Sequence, residues 1–105
     1  MPATLDSALK ERLRSVLDSG PVTEAELRRL SEEGRACALI LGAQLERSER
    51  RLEELAADPA SSLAEIAADL RQVNELRPDL GELHAMLAEL ERRAREFRAS
   101  WLSAT

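Results

Sequence analysis

The stretch VTEAELRRLSEEGRACALILGAQLERSERRLEELAADP, residues 22–59, decides the fold. It opens on a helix start: Thr23 can cap, Glu26 completes a capping box, and Val22 with Leu27 forms the two ends of a hydrophobic staple. It closes on Asp58-Pro59, where proline cannot continue a helix and disfavours a helical residue before it. Between these signals, Leu27, Leu30, Gly34, Cys37, Leu41, Leu45, Ser48, Leu52 and Leu55 fall within about 40° of one line on a helical wheel. The spacing predicts a single helix over 24–57 with one buried seam. An extra step of four between Leu41 and Leu45 should locally unwind any supercoil. At 1.5 Å per residue this rod is about 50 Å long, whereas a compact domain of this size has a radius of gyration of about 13 Å. The molecule is therefore expected to be elongated, or completed by another chain.

The middle of the rod is unusual. From Ala36 to Gln44 no residue is charged, in a chain that is 33% charged. Leu39 points about 160° away from the seam, with Ala36 and Ala43 beside it and Ile40 on the flank. Glu32 and Arg50 continue the same back face on either side, so an apolar patch interrupts a charged surface. A helix that is apolar all round is normally covered on both sides, and burying one leucine is worth about 1.5–3 kcal/mol. Two coverings are open, the first helix of this chain, or a second copy or another protein; simple exposure, common for isolated surface leucines, is the third reading. Small Ala36, Gly42 and Ala43 permit close approach under either. Ala36, Leu39, Ile40 and Ala43 are thus interface candidates.

The remaining segments also read as helices. Leu5, Leu9, Leu13 and Val16, widened by Leu17, predict a helix over about 5–18, stopped by Ser19-Gly20-Pro21. Ser62 with Glu65 starts another over about 62–76, with Leu63, Ile66, Leu70 and Val73 as its stripe. Arg77-Pro78-Asp79 then predicts a break or a kink, and Asp79 with Glu82 a further cap. Over about 79–102, Leu80, Leu83, Leu87, Leu90, Ala94, Phe97 and Trp101 keep a seven-residue repeat, the signature of coiled-coil-like packing. One domain over 1–105 is expected: all-α, an elongated bundle of three to four antiparallel helices.

Composition agrees. The chain is 44% hydrophobic, yet Phe97 and Trp101 are its only aromatics, so the core must be leucine and alanine, which favours helix over sheet. The formal charge of −5 is spread among interleaved signs with no basic block. Arginine supplies all cations except Lys10, the pattern expected from codon bias in a GC-rich bacterial genome, with an arginine-specific binding role as the other reading. The lone Cys37 cannot form a disulfide within the chain. MPATLDSALKERL lacks the apolar heart of a signal peptide, and no stretch approaches the roughly 20 apolar residues that span a bilayer. A cytoplasmic protein with no membrane association is expected.

Chemistry is sparse. His84 is the only histidine, with no carboxylate placed to orient it and no second histidine to complete a metal set. The acids fit solvated helix faces: Glu24–Arg28, Glu46–Arg50, Glu89–Arg93 and Glu91–Arg95 all place Glu four residues before Arg. There is no phosphate loop and no nucleophile–base arrangement, so no enzyme activity, cofactor or metal is expected. Arg92, Arg93, Arg95 and Arg98 form the one basic cluster, and would carry a dimeric nucleic-acid-associated regulator as the alternative reading. Phe97, Trp101 and Leu102 either close one end of the bundle or anchor a partner. The expectation is a non-enzymatic interaction module — an adaptor, chaperone-like or regulatory subunit — docking helix on helix with itself or another helical protein, as a homodimer.

Overall fold

The computed structural model describes residues 7–19 and 23–104. Among the described residues there are three helices and no strand: α1 (Ser7–Ser19), α2 (Glu24–Ala57) and α3 (Leu63–Ala104). The molecule measures 68 × 20 × 15 Å with a radius of gyration of 18.3 Å, well above the roughly 13 Å of a compact chain this long. Elongation follows from the length of α2, as its sequence implied.

The signals at the ends of α2 act as their chemistry dictates. Thr23 Oγ1 accepts from the Glu26 amide at 3.1 Å, and the Asp58 amide donates to Leu55 O at 3.3 Å. Val22, the staple partner, lies outside the described residues, as do Leu5 and the Gly20-Pro21 stop. The turn into α3 is tied by Asp58, whose Oδ1 accepts from the Ala60 amide at 2.9 Å. Ser62 Oγ then accepts from the Glu65 amide at 3.1 Å and caps α3.

The break at Pro78 does not occur. One helix runs from Leu63 to Ala104 with Pro78 inside it, so the segments expected at 62–76 and 79–102 are continuous and no helix starts at Asp79. A mid-helix proline removes one backbone bond and crowds the carbonyl four residues back, at a cost of about 3 kcal/mol. Val73 and Leu76 before it, and Leu83, Leu87 and Leu90 after it, are all buried. At about 1.5–3 kcal/mol for each buried leucine, holding both halves against α2 outweighs that cost. Pro78 itself, and Asn74 whose carbonyl loses its donor, are exposed.

Continuity has a second consequence. A single helix has one phase, and on the wheel set by Leu83, Leu63 and Leu70 lie about 140–160° from the seam. They are accordingly 84% and 48% exposed, contrary to their expected place in a core stripe, while Val73 and Leu76 are buried.

Helix α3 returns along α2. Ion pairs Arg51–Asp69, Arg77–Glu49, Arg35–Glu91 and Arg98–Glu24 join them, residue numbers falling along one helix as they rise along the other. The expected α2 seam is the buried one: Leu27, Leu30, Gly34, Leu41 and Ser48 are buried, with Cys37, Leu45, Leu52 and Leu55 half-buried. The helices are in close contact where Gly34 faces Leu87: a Cβ at Gly34 would stand 2.4 Å from Leu87 Cδ2.

Helix α1 adds Leu9 and Leu13 to this core, with Val16 and Leu17 packed against it. Glu82 of α3 holds both Lys10 (2.8 Å) and Arg14 (2.7 Å), and Arg12 meets Glu33 of α2 at 2.7 Å. Arg93 donates to Val16 O at 3.0 Å, satisfying one of the last carbonyls of α1, which have no donor within the helix.

Candidate interaction surface

Helix α1 lies on one flank of α2, where Arg12 meets Glu33, and leaves the back face bare. Leu39 is 76% and Ile40 59% exposed, with Ala36 and Ala43 exposed beside them. The covering by the chain's own first helix is therefore absent. Helix α1 instead buries Leu9 and Leu13 in the core it shares with α2 and α3, worth about 1.5–3 kcal/mol each. Glu82 and Arg93 of α3 add weaker ties to Lys10, Arg14 and the α1 carboxyl end.

Leu39 also borders an open groove of about 500 Å³ between α2 and α3, with Ala38, His84, Leu87 and Ala88 on its walls. His84 is exposed there. Gly42, beside the patch, has nothing within 4 Å of where a Cβ would stand.

The other candidate anchors do not close the bundle. Phe97, Trp101 and Leu102 are 42%, 64% and 67% exposed. Phe97 and Trp101 are in phase with the buried Leu83 and Leu90, but α2 begins at Glu24, which already pairs with Arg98. Beyond that point the described part of α2 offers α3 nothing to pack against.

The arginine cluster is largely neutralised within the chain. Arg92 pairs with Glu89 and Glu96, Arg93 with Glu89, and Arg98 with Glu24 at 3.4 Å. The Arg92 hydrogen bond, with help from Arg93, holds the Glu89 carboxyl down at about 2, and Arg92 is raised in return. Arg95 makes no such pair with another described residue. The Lys10 ammonium, and then Arg14, likewise lower the Glu82 carboxyl.

Of the four expected pairs along single helices, Glu24–Arg28 and Glu89–Arg93 form. Glu91 turns instead to Arg35 across the hairpin at 2.9 Å, and Glu46 and Arg50 stay apart. Among the described residues no group of three His, Cys, Asp or Glu side chains could hold a metal ion, and no helix is long and apolar enough to cross a membrane.

One feature had no counterpart in the sequence reading. Near the α2–α3 turn, Gln44, buried Ser48, Asp69 and Gln72 line a polar hollow of about 490 Å³. Gln44 Oε1 is buried there without a hydrogen bond, and Arg51 Nε stands 3.0 Å from Asp69 Oδ2 in poor alignment for one. Interrupting an apolar seam with Ser48 was the available signal.

Compared with known protein families, with curated proteins and with solved structures, the chain shows no significant match.

Proposed function

We propose that this chain is a non-enzymatic helical interaction module — an adaptor, chaperone-like or regulatory subunit — that works by docking its α2 back face onto another helix. One observation carries the reading. Leu39 and Ile40 stand 76% and 59% exposed midway along α2, on a back face that is charged on either side of them, at Glu32 and at Glu46 and Arg50. Leaving both in water forfeits about 1–3 kcal/mol each, which a covering helix recovers. The small neighbours Ala36, Gly42 and Ala43 let a backbone come close. Phe97, Trp101 and Leu102, projecting past the start of α2, offer a second anchor of the aromatic kind that concentrates binding energy. The heptad spacing through Leu83, Leu87 and Leu90 supports coiled-coil-like, antiparallel packing within the subunit and suits it to helical partners.

The nucleic-acid alternative is the weaker one, because carboxylates occupy Arg92, Arg93 and Arg98 and leave Arg95 alone of the cluster without an ion pair to another described residue. A binding constant for duplex DNA that falls steeply with added salt would revive it.

The test is a photoreactive side chain placed at Leu39 and, as a control, at exposed Asn74 of α3, with cross-links mapped in an extract of the source cell. Docking predicts strong labelling from position 39 onto one helical segment, of this chain or of another. Equal, faint labelling from both positions refutes it.

A further inference from the structure

We infer that the helix covering the α2 back face is α2 of a second copy, lying antiparallel across it about a two-fold axis behind Leu41; the inference rests on the docking reading above and names its partner.

The argument is the order of charges along that face. Opposite Leu41 on the wheel, Ala25, Arg28, Glu32, Ala36, Leu39, Ala43, Glu46, Arg50, Glu54 and Ala57 form one straight strip, all within about 40° of a line. Every one of them is exposed. A two-fold axis behind Leu41 sets each residue against the one equally far on the other side. Leu39 then meets Ala43 of the second copy, Glu32 meets Arg50, Arg28 meets Glu54, and Ala25 meets Ala57. Ala36 meets Glu46, which the flanking Arg35 also reaches. On the other flank Arg29 comes beside Glu54 and Ile40 beside Ala43.

No like charges are opposed in this register. A parallel pairing would set Arg28 on Arg28 and Glu32 on Glu32, which repels. A self-complementary patch is what a two-fold contact requires, since each side must serve as both halves. Most of these charges are also available. Arg29, Glu32, Glu46, Arg50 and Glu54 form no ion pair with another described residue, although Glu46 and Arg50 stand at the spacing that favours one. Arg28, by contrast, is held by Glu24, and Arg35 by Glu91. At the centre, Ala36, Gly42 and Ala43 carry the small side chains that let two rods touch, and nothing lies within 4 Å of a Cβ at Gly42.

The strip is about 50 Å long and about 10 Å wide, which buries roughly 1,000 Å² between two copies, at the small end for specific pairs. Association should therefore be concentration-dependent, and the test spans about 1 μM to 1 mM.

Sedimentation equilibrium of the whole chain reads it directly. The wild-type mass should climb from 11.6 kDa towards twice that value with concentration. Glu32→Arg alone creates two Arg–Arg contacts per dimer, and Arg50→Glu alone two Glu–Glu contacts, so each should pair roughly tenfold more weakly. An equimolar mixture of the two restores opposite charges at both contacts and should regain wild-type pairing. Each variant keeps its own within-chain charge defect in the mixture, so recovery reports contact between copies. Arg28→Glu with Glu54→Arg gives the same exchange should either first variant lose wild-type helicity. A wild-type mass of one chain up to 1 mM, or a mixture no heavier than its components, overturns the second copy as occupant. In that event labelling from position 39 onto a different protein would still uphold the docking reading, and its absence would remove both.

Discussion

Replacing Gly34 with alanine tests the close contact on which the hairpin register depends. Glycine in a helix interior costs about 1 kcal/mol relative to alanine, so the substitution should stabilise α2 if nothing stood in the way. Leu87 stands in the way. A Cβ at Gly34 would lie 2.4 Å from Leu87 Cδ2 and 3.3 Å from Cγ. Carbon atoms rest at about 3.5–4.0 Å, so Leu87 must retreat by over an ångström. Leu87 is 6% exposed and packed among Leu83, Leu90 and α2, and overpacking of this kind costs about 1–3 kcal/mol. Gly81→Ala supplies the reference, because nothing lies within 4 Å of its Cβ position. It should raise stability by about 1 kcal/mol. Urea unfolding of both variants isolates the packing penalty as the difference between them, since the propensity gain cancels. The reasoning predicts that Gly34→Ala is less stable than Gly81→Ala by at least about 1 kcal/mol. Equal stabilisation by both would mean that α2 and α3 do not meet at this point.

Other substitutions probe the remaining elements. Pro78→Ala restores the amide bond to Asn74 O and removes the ring clash, and should raise stability by about 1–3 kcal/mol in denaturant unfolding; a loss would show that α3 is broken there. Leu83→Ala, at a fully buried site, should cost about 2–5 kcal/mol, whereas Leu63→Ala at an 84% exposed site should change stability by less than about 0.5 kcal/mol, and similar losses at both would refute the single phase of α3. Acid should loosen the molecule. The folded Glu89 carboxyl is held at about 2 by Arg92, below the ordinary value of 4.5, and Glu82 is lowered by Lys10 and Arg14. A depressed carboxylate contributes stability that is present above the unfolded value and lost as pH falls through the folded one. The melting temperature should thus fall as pH drops from 4.5 towards 2, and less steeply in Glu82→Gln/Glu89→Gln; identical slopes would contradict the pairing.

Much of the fold was legible because local chemistry decided it. Thr23, Glu26 and Asp58-Pro59 bound α2 at the residues where it begins and ends, and its period picked out the buried seam from Leu27 to Ser48. Pro78 was misleading because its penalty is local and the leucines that outweigh it meet α2 across the hairpin. The same distant contact set the phase of α3, turning Leu63 and Leu70 outward. Phe97 and Trp101 were in phase with the core but beyond the reach of α2, and a periodicity holds no information on where a neighbouring helix stops. The patch around Leu39 was visible as a break in the charge pattern. What lay over it depended on α1, whose Leu9 and Leu13 found their core against the other two helices, with Glu82 and Arg93 of α3 beside them. The mirrored order of charges about Leu41 was in the sequence throughout, but reading it requires knowing that Glu46 and Arg50 do not consume one another.

The docking surface itself is tested most directly by the methyl groups of Leu39 and Ile40. Their NMR signals, measured with a soluble paramagnetic agent across a dilution series, should broaden strongly in dilute protein and become protected as concentration rises. Leu63 and Leu70, bare on α3, should stay accessible throughout. Protection of Leu39 at every dilution would mean that this chain covers its own rod, and unchanged accessibility of Leu39 up to 1 mM would mean that no second copy does.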